Sequence, residues 1–164
     1  MRTNNSKAKS VIISVYFILI VLAILLATVF SAFKDLTSNP VLTFFILFIG
    51  FIVAFAIVHW ISRYFEYDSD GLKVIITNKG LLLSERLNYR EHQIEFAKED
   101  LIAFKFNNYL IYKTLTIVTK NSKGKTSKAI FNVTLVNRKK RKYIKQSLSK
   151  MIKHNRKLKL QIND

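Results

Sequence analysis

Two long stretches that contain one histidine and no acidic or other basic side chain constrain this chain more than anything else in it. Ser10–Phe33 and Val41–Ser62 hold 24 and 22 residues. At ~1.5 Å per residue they make helices of roughly 36 and 33 Å, against a bilayer core of roughly 30 Å. Each is long enough to cross a membrane. A core helix of a soluble protein rarely runs so far without a charge. A cleavable signal has an apolar run of only about 7–15 residues and no second span behind it. The expectation is a transmembrane hairpin over residues 10–62, with helices 10–33 and 41–62.

The connector Lys34–Pro40 leaves room only for a turn between antiparallel helices, with Ser38 and Pro40 suited to cap and open the second. Three cations (Arg2, Lys7, Lys9) precede the first span, one (Lys34) lies in the connector, and three (Arg63, Lys73, Lys79) follow the second within twenty residues. The translocated side is the one poor in Lys and Arg, so the turn faces out and both termini are cytoplasmic. The location expected is the cell membrane, with residues 1–9 as a basic cytoplasmic tail. Ala23, Ala27 and Ser31 on the first helix, and Gly50 and Ala54 on the second, offer small faces for helix packing. His59, Trp60 and Tyr64 gather at the cytoplasmic end of the second span as interface anchors, with Tyr67 nearby. No polar residue marks a transport path.

A formal net charge of +17 would otherwise suggest a soluble nucleic-acid binder, but 50% of the residues are hydrophobic and mean hydropathy is positive. What remains from Arg63 onward suffices for one small domain. The chain has no cysteine, which excludes disulfides, thiolate chemistry and Cys-ligated metals.

From Arg63 the hydrophobic period shortens. Leu72, Val74 and Ile76 alternate between the turn formers Ser69-Asp70-Gly71 and Asn78-Lys79-Gly80, and Leu81–Tyr89 reads as the second arm of a hairpin. Further strands are expected at Tyr64–Tyr67, His92–Ala97, around Phe104 and Phe106, at Leu115–Thr119 and at Lys128–Val133, with a turn over Asn121–Lys125. Helical spacing returns in Val136, Ile144, Leu148, Met151 and Ile152. That predicts an amphipathic helix over about 136–155, capped by Asn137 or Thr134, with a flexible tail at 159–164. The fold class is α+β: a transmembrane hairpin, then an antiparallel β-domain at 63–158 closed by its C-terminal helix.

This order of elements, with stretches such as DSDGLKVIITNKGLLL and FAKEDLIAFKF, resembles the bacterial pleckstrin-homology-like (PH-like) membrane proteins over roughly Ser10 to Asn155. The resemblance implies a partly open seven-stranded barrel plugged by the C-terminal helix, acting in binding or assembly without catalysis. Eukaryotic relatives of that fold bind phosphoinositides through Lys/Arg in the first hairpin loop. Here that loop is Asp68-Ser69-Asp70-Gly71, whose acids argue against inositide recognition there.

Catalytic constellations are hard to assemble. His92 and Glu95, three apart in a strand, point to opposite faces and make a poor metal pair. Glu91, Glu95, Glu99 and Asp100 are interleaved with Arg90 and Lys98 as an ordinary charged surface. No cofactor or metal is expected. The strong local signal is cationic: Arg138–Lys159 carries eleven Lys and Arg in 22 residues and no acid. Arg138, Lys139, Lys142, Lys145, Lys153 and Arg156 are the candidate contacts to anionic inner-leaflet lipid or a partner protein, including another membrane protein. Nucleic acid is disfavoured because only Tyr143 could stack on a base. The expected function is a non-enzymatic integral membrane protein presenting a basic domain to headgroups or a partner. The alternatives are a membrane-tethered nucleic-acid binder and an enzyme acting at the membrane surface through the Glu91–Asp100 acids.

Overall fold

A computed structural model describes residues 1–28, 39–81, 91–121 and 124–163. Two compact units emerge, one of residues 7–62 and one that joins residues 1–6 to 63–164.

In the first unit, α1 (Ala8–Thr28) and α2 (Pro40–Ile61) are the two apolar helices, each long and apolar enough to cross a membrane. Their most apolar windows are only 6% and 0% buried, so neither helix forms a core within this chain. Side chains such as Phe17, Ile24, Phe45, Ile46 and Ile49 are more than half exposed. Three hydroxyls of these helices and their caps bond back to the preceding turn: Ser14 Oγ donates to Ser10 O, Thr43 Oγ1 to Asn39 O and Ser62 Oγ, at the end of α2, to Val58 O. Asn39, not Ser38, caps α2, its Oδ1 accepting from Leu42 N at 3.2 Å. Pro40 fixes the first helical position, which makes the residue before it the cap. The helices meet through Tyr16, whose ring lies 4.8 Å from Phe55 and whose hydroxyl is 3.5 Å from His59 Nδ1. The small-residue expectation does not hold at Gly50, where an added Cβ would meet nothing within 4 Å. Ser31 and residues 29–33 of the expected first span, with 34–38 of the connector, lie outside the described residues.

The second unit is built from seven strands among the described residues. Four form one antiparallel sheet in the order β1 (Arg2–Asn4), β2 (Arg63–Asp68), β3 (Lys73–Gly80), β4 (His92–Ala97). Three form the other: β5 (Leu101–Asn108), β6 (Lys113–Lys120), β7 (Thr126–Asn132). A single 3-10 turn, Lys98–Asp100, joins the sheets, and α3 (Arg138–Asn163) ends the chain. Alternation puts Phe65, Tyr67, Val74, Ile76, Leu115, Ile117 and Phe131 inward, and Ile144 and Leu148 of α3 cover them. Met151 and Ile152 pack half-buried at the edge of this core. The Tyr67 hydroxyl reaches Ser147 Oγ at 2.9 Å, which satisfies the one polar atom of a fully buried ring.

Four expectations change. The first residues are not a free tail: β1 pairs with β2, Arg2 opposite Asp68 and Asn4 opposite Glu66. Asn5, 4% exposed, completes that seam by donating to Arg63 O and accepting from Phe65 N. Asn78-Lys79-Gly80 is not a turn but the end of β3, paired with Phe65, Tyr64 and Arg63. Leu72 stands in the β2–β3 turn, almost wholly exposed, outside the alternation it was expected to lead. Finally, α3 runs on to Asn163 instead of ending near residue 155. Leu82–Tyr89 of the expected second hairpin arm, and Ser122 and Lys123 of the expected turn, lie outside the described residues.

Candidate basic surface

The cationic face begins at an N-cap. Asn137 Oδ1 accepts from Lys140 N at 2.8 Å and its carbonyl from Arg141 N, so Arg138 opens the helix. Five successive cations then occupy its start with no acid in the first turn. Positive charge there opposes the helix dipole, at a cost of roughly 0.3–1 kcal/mol per charge when exposed. Folding alone does not explain that placement.

All six candidate contacts are exposed: Arg138, Lys139, Lys142, Lys145, Lys153 and Arg156. The intervening cations at the start of the helix are less exposed. Lys140 is half-buried and donates through Nζ to Asn4 O, and Arg141 is half-buried too. Helical spacing brings Lys142, Lys145 and Lys153 onto one shallow groove of about 550 Å³, together with Gln146, Ser149 and Lys150. Arg138 and Lys139 sit at one end of α3. Arg156 sits some 18 residues on, roughly 27 Å away. The six are thus a stripe along one face and not a single cluster. Among the described residues, no carboxylate forms an ion pair with any of them.

Glu66, Asp68, Asp70 and Glu95 are used elsewhere in the domain. Arg2 Nε lies 2.7 Å from Glu66 and 3.9 Å from Asp68, and the first amine pairs with Asp70. The acidic loop is therefore neutralised by the first residues of the chain, a partnership that spans more than 60 residues (64 for Arg2 and Glu66) and that no local signal reveals. Glu95 holds Lys73 at 2.8 Å, raising the Lys73 ammonium pKa through its hydrogen bond and charge. Glu99 and Asp100 lie in the 3-10 turn, where the backbone carbonyls of Lys98 and Glu99, with that of Leu101 at the start of β5, accept from the buried Asn155 amide. The His92 ring packs 5.0 Å from Phe131. Among the described residues no three His, Asp or Glu side chains come together as a metal site would need.

The proposed anchors divide between the two units. His59 and Trp60 belong to the last turn of α2, Trp60 55% exposed and His59 against Tyr16. Tyr64 instead belongs to β2. Its hydroxyl donates to Glu66 Oε2 at 2.9 Å, and Lys79 Nζ lies 5.4 Å above its ring. Burial, then the hydrogen bond to Glu66, push its pKa up to about 12. A second groove of about 520 Å³, between Met1, Arg2 and Thr3 on one side and Lys140, Tyr143 and Ser147 on the other, is not legible in the sequence because it depends on β1.

Comparison with protein-family models, with curated proteins and with solved structures finds no match to this chain.

Proposed function

We propose that this chain is a non-enzymatic integral membrane protein whose α1 and α2 span the bilayer as a hairpin and whose basic β-domain works at the cytoplasmic face, held against anionic headgroups. The observation that carries the reading is the nearly continuous exposed apolar surface of two 21- and 22-residue helices, which water would not tolerate. Loop charges orient the hairpin with both termini in the cytoplasm of a cell-membrane protein. The stripe of exposed cations on α3, none of them in an ion pair among the described residues, supports headgroup contact, since each Lys or Arg held near an anionic surface contributes about 1 kcal/mol. A four-plus-three arrangement of strands closed by a C-terminal helix supports a PH-like domain. Its first strand would be contributed from before the membrane hairpin.

The test uses the full chain reconstituted in vesicles. A donor dye on Gln146→Cys, in the centre of the basic groove, reports distance to an acceptor on lipid headgroups. Energy transfer should rise when phosphatidylglycerol replaces phosphatidylcholine and fall with added salt as screening grows. Reversing Lys142, Lys145, Lys153 and Arg156 to Glu removes about 4 kcal/mol of attraction and should abolish the rise. Equal transfer in both lipids at low salt would mean a merely solvated face. Indifference to lipid combined with steep, salt-dependent binding to duplex DNA would favour the tethered nucleic-acid binder instead.

A further inference from the structure

The hairpin joining β5 to β6 breaks the rules for an exposed turn. Tyr109 N donates to Tyr112 O at 2.8 Å, so Leu110 and Ile111 are the two residues at the tip. Such positions normally carry Asn, Gly or Asp, which supply the backbone geometry and tolerate water. Here Leu110 is completely exposed, and Ile111 and Tyr109 are more than half exposed. The Tyr109 and Tyr112 rings stack 6.4 Å apart at 23°. A sequence that violates local preference without gaining burial within its own fold does so for a purpose outside it.

Hydrogen bonds place this tip at a defined end of the domain. Asn78 Nδ2 donates both to Tyr64 O and to Asn132 O. Asn132 is paired with Thr114, which adjoins the foot of the hairpin at Lys113. Thr134 Oγ1 accepts from Lys113 N, three residues before Asn137 caps α3. Arg63, the Tyr109–Tyr112 tip and the Arg138–Lys139 start of α3 therefore share one end. That end is the tethered one: Ser62 alone separates α2 from β2, so the Arg63 and Ile61 Cα atoms are at most about 7 Å apart.

We propose that the Tyr109–Tyr112 hairpin is a membrane-interface anchor, with Leu110 and Ile111 inserted among the headgroups and upper acyl chains and the two tyrosines at the interface. The inference rests on α2 spanning the bilayer. Tyrosine rings and an aliphatic tip suit that layer, and Lys113, Arg138 and Lys139 beside them suit its anionic phosphates. Together with α2, the hairpin holds the domain at two points, which fixes its orientation and not merely its distance from the membrane.

The chain has no cysteine and one tryptophan, so the full-length protein can be probed without background. An NBD dye on Leu110→Cys, on a side chain with no contact to lose, is compared with one on Lys125→Cys in the β6–β7 turn. Both proteins are reconstituted in phosphatidylcholine/phosphatidylglycerol vesicles with and without doxyl-labelled lipid. The expected result is a blue-shifted Leu110 probe quenched by doxyl lipid, a Lys125 probe that is neither, and Trp60 fluorescence quenched in both. Quenched Trp60 with an unquenched Leu110 probe overturns the hairpin anchor while leaving the spanning helices intact. Unquenched Trp60 overturns the spanning reading and the anchor with it. A Leu110 probe that is blue-shifted but untouched by doxyl lipid means a protein covers the tip, a second copy or a partner, and also overturns the proposal, as does equal quenching at Lys125.

Discussion

Replacing Asn78 with alanine should loosen the whole β-domain, because one side chain bridges its two sheets. Asn78 is 7% exposed. Its amide donates to Tyr64 O at 2.9 Å and to Asn132 O at 3.1 Å, and its Oδ1 accepts from Asn132 N at 3.2 Å. Each such bond contributes about 1 kcal/mol net, and burial leaves little water to replace it, so the three together predict a loss of roughly 3 kcal/mol. Asn78→Leu keeps the volume and removes the bonds, which separates polar loss from cavity formation; it should cost at least as much. Asn78→Asp keeps the acceptor but turns a carboxylate toward two carbonyls, and should also be severely destabilising. The assay is amide hydrogen exchange of the full chain in micelles, read on β6 and β7. A loss of 3 kcal/mol accelerates globally limited exchange by about two powers of ten. Exchange within threefold of wild type in Asn78→Ala would refute the bridge.

Other consequences follow the same logic. Leu148→Ala truncates a fully buried side chain that α3 lays on the sheets and should cost about 2–5 kcal/mol, measurable by the same exchange experiment. Asn155→Ala removes the donor to the carbonyls of Lys98, Glu99 and Leu101, which pin α3 to the 3-10 turn and the start of β5; it should speed exchange in the last turns of α3 while leaving amides near Ile144 protected. Tyr64 sets an alkaline limit. Its folded pKa of about 12 exceeds the ordinary value of 10, so the stabilisation is complete below pH 10 and is lost as pH rises toward 12. Thermal melts across that window should fall more steeply for wild type than for Tyr64→Phe; identical slopes would contradict the assignment.

The sequence carried the architecture well where one face of an element is buried, and less well where a side chain serves a distant backbone. His92–Ala97 is a strand within the bounds its alternation gives, and Ile144 and Leu148 form the buried face of α3 as their spacing requires. Asn78 shows the reason. Asparagine near glycine reads as a turn because its amide competes with the local backbone. In this fold the Asn78 amide is turned inward to remote carbonyls, and the strand runs straight through it. The β1 strand was illegible because three residues have no periodicity and their partner lies beyond both apolar helices. Leu110 and Ile111 were passed over because they belong to no alternating pattern. The exposed cations of α3 were legible from composition alone, but their division into a groove and two separated ends depended on the helix axis.

The central claim is that α1 and α2 cross the membrane and leave the β-domain in the cytoplasm, and single cysteines in the otherwise cysteine-free chain test it most directly. In intact cells a membrane-impermeant thiol reagent should label Thr37→Cys, between the helices. It should reach Ser6→Cys and Lys125→Cys only after the cells are opened. Labelling of Lys125→Cys from outside, or protection of Thr37→Cys until lysis, would contradict the orientation and with it the headgroup-facing role of the basic helix.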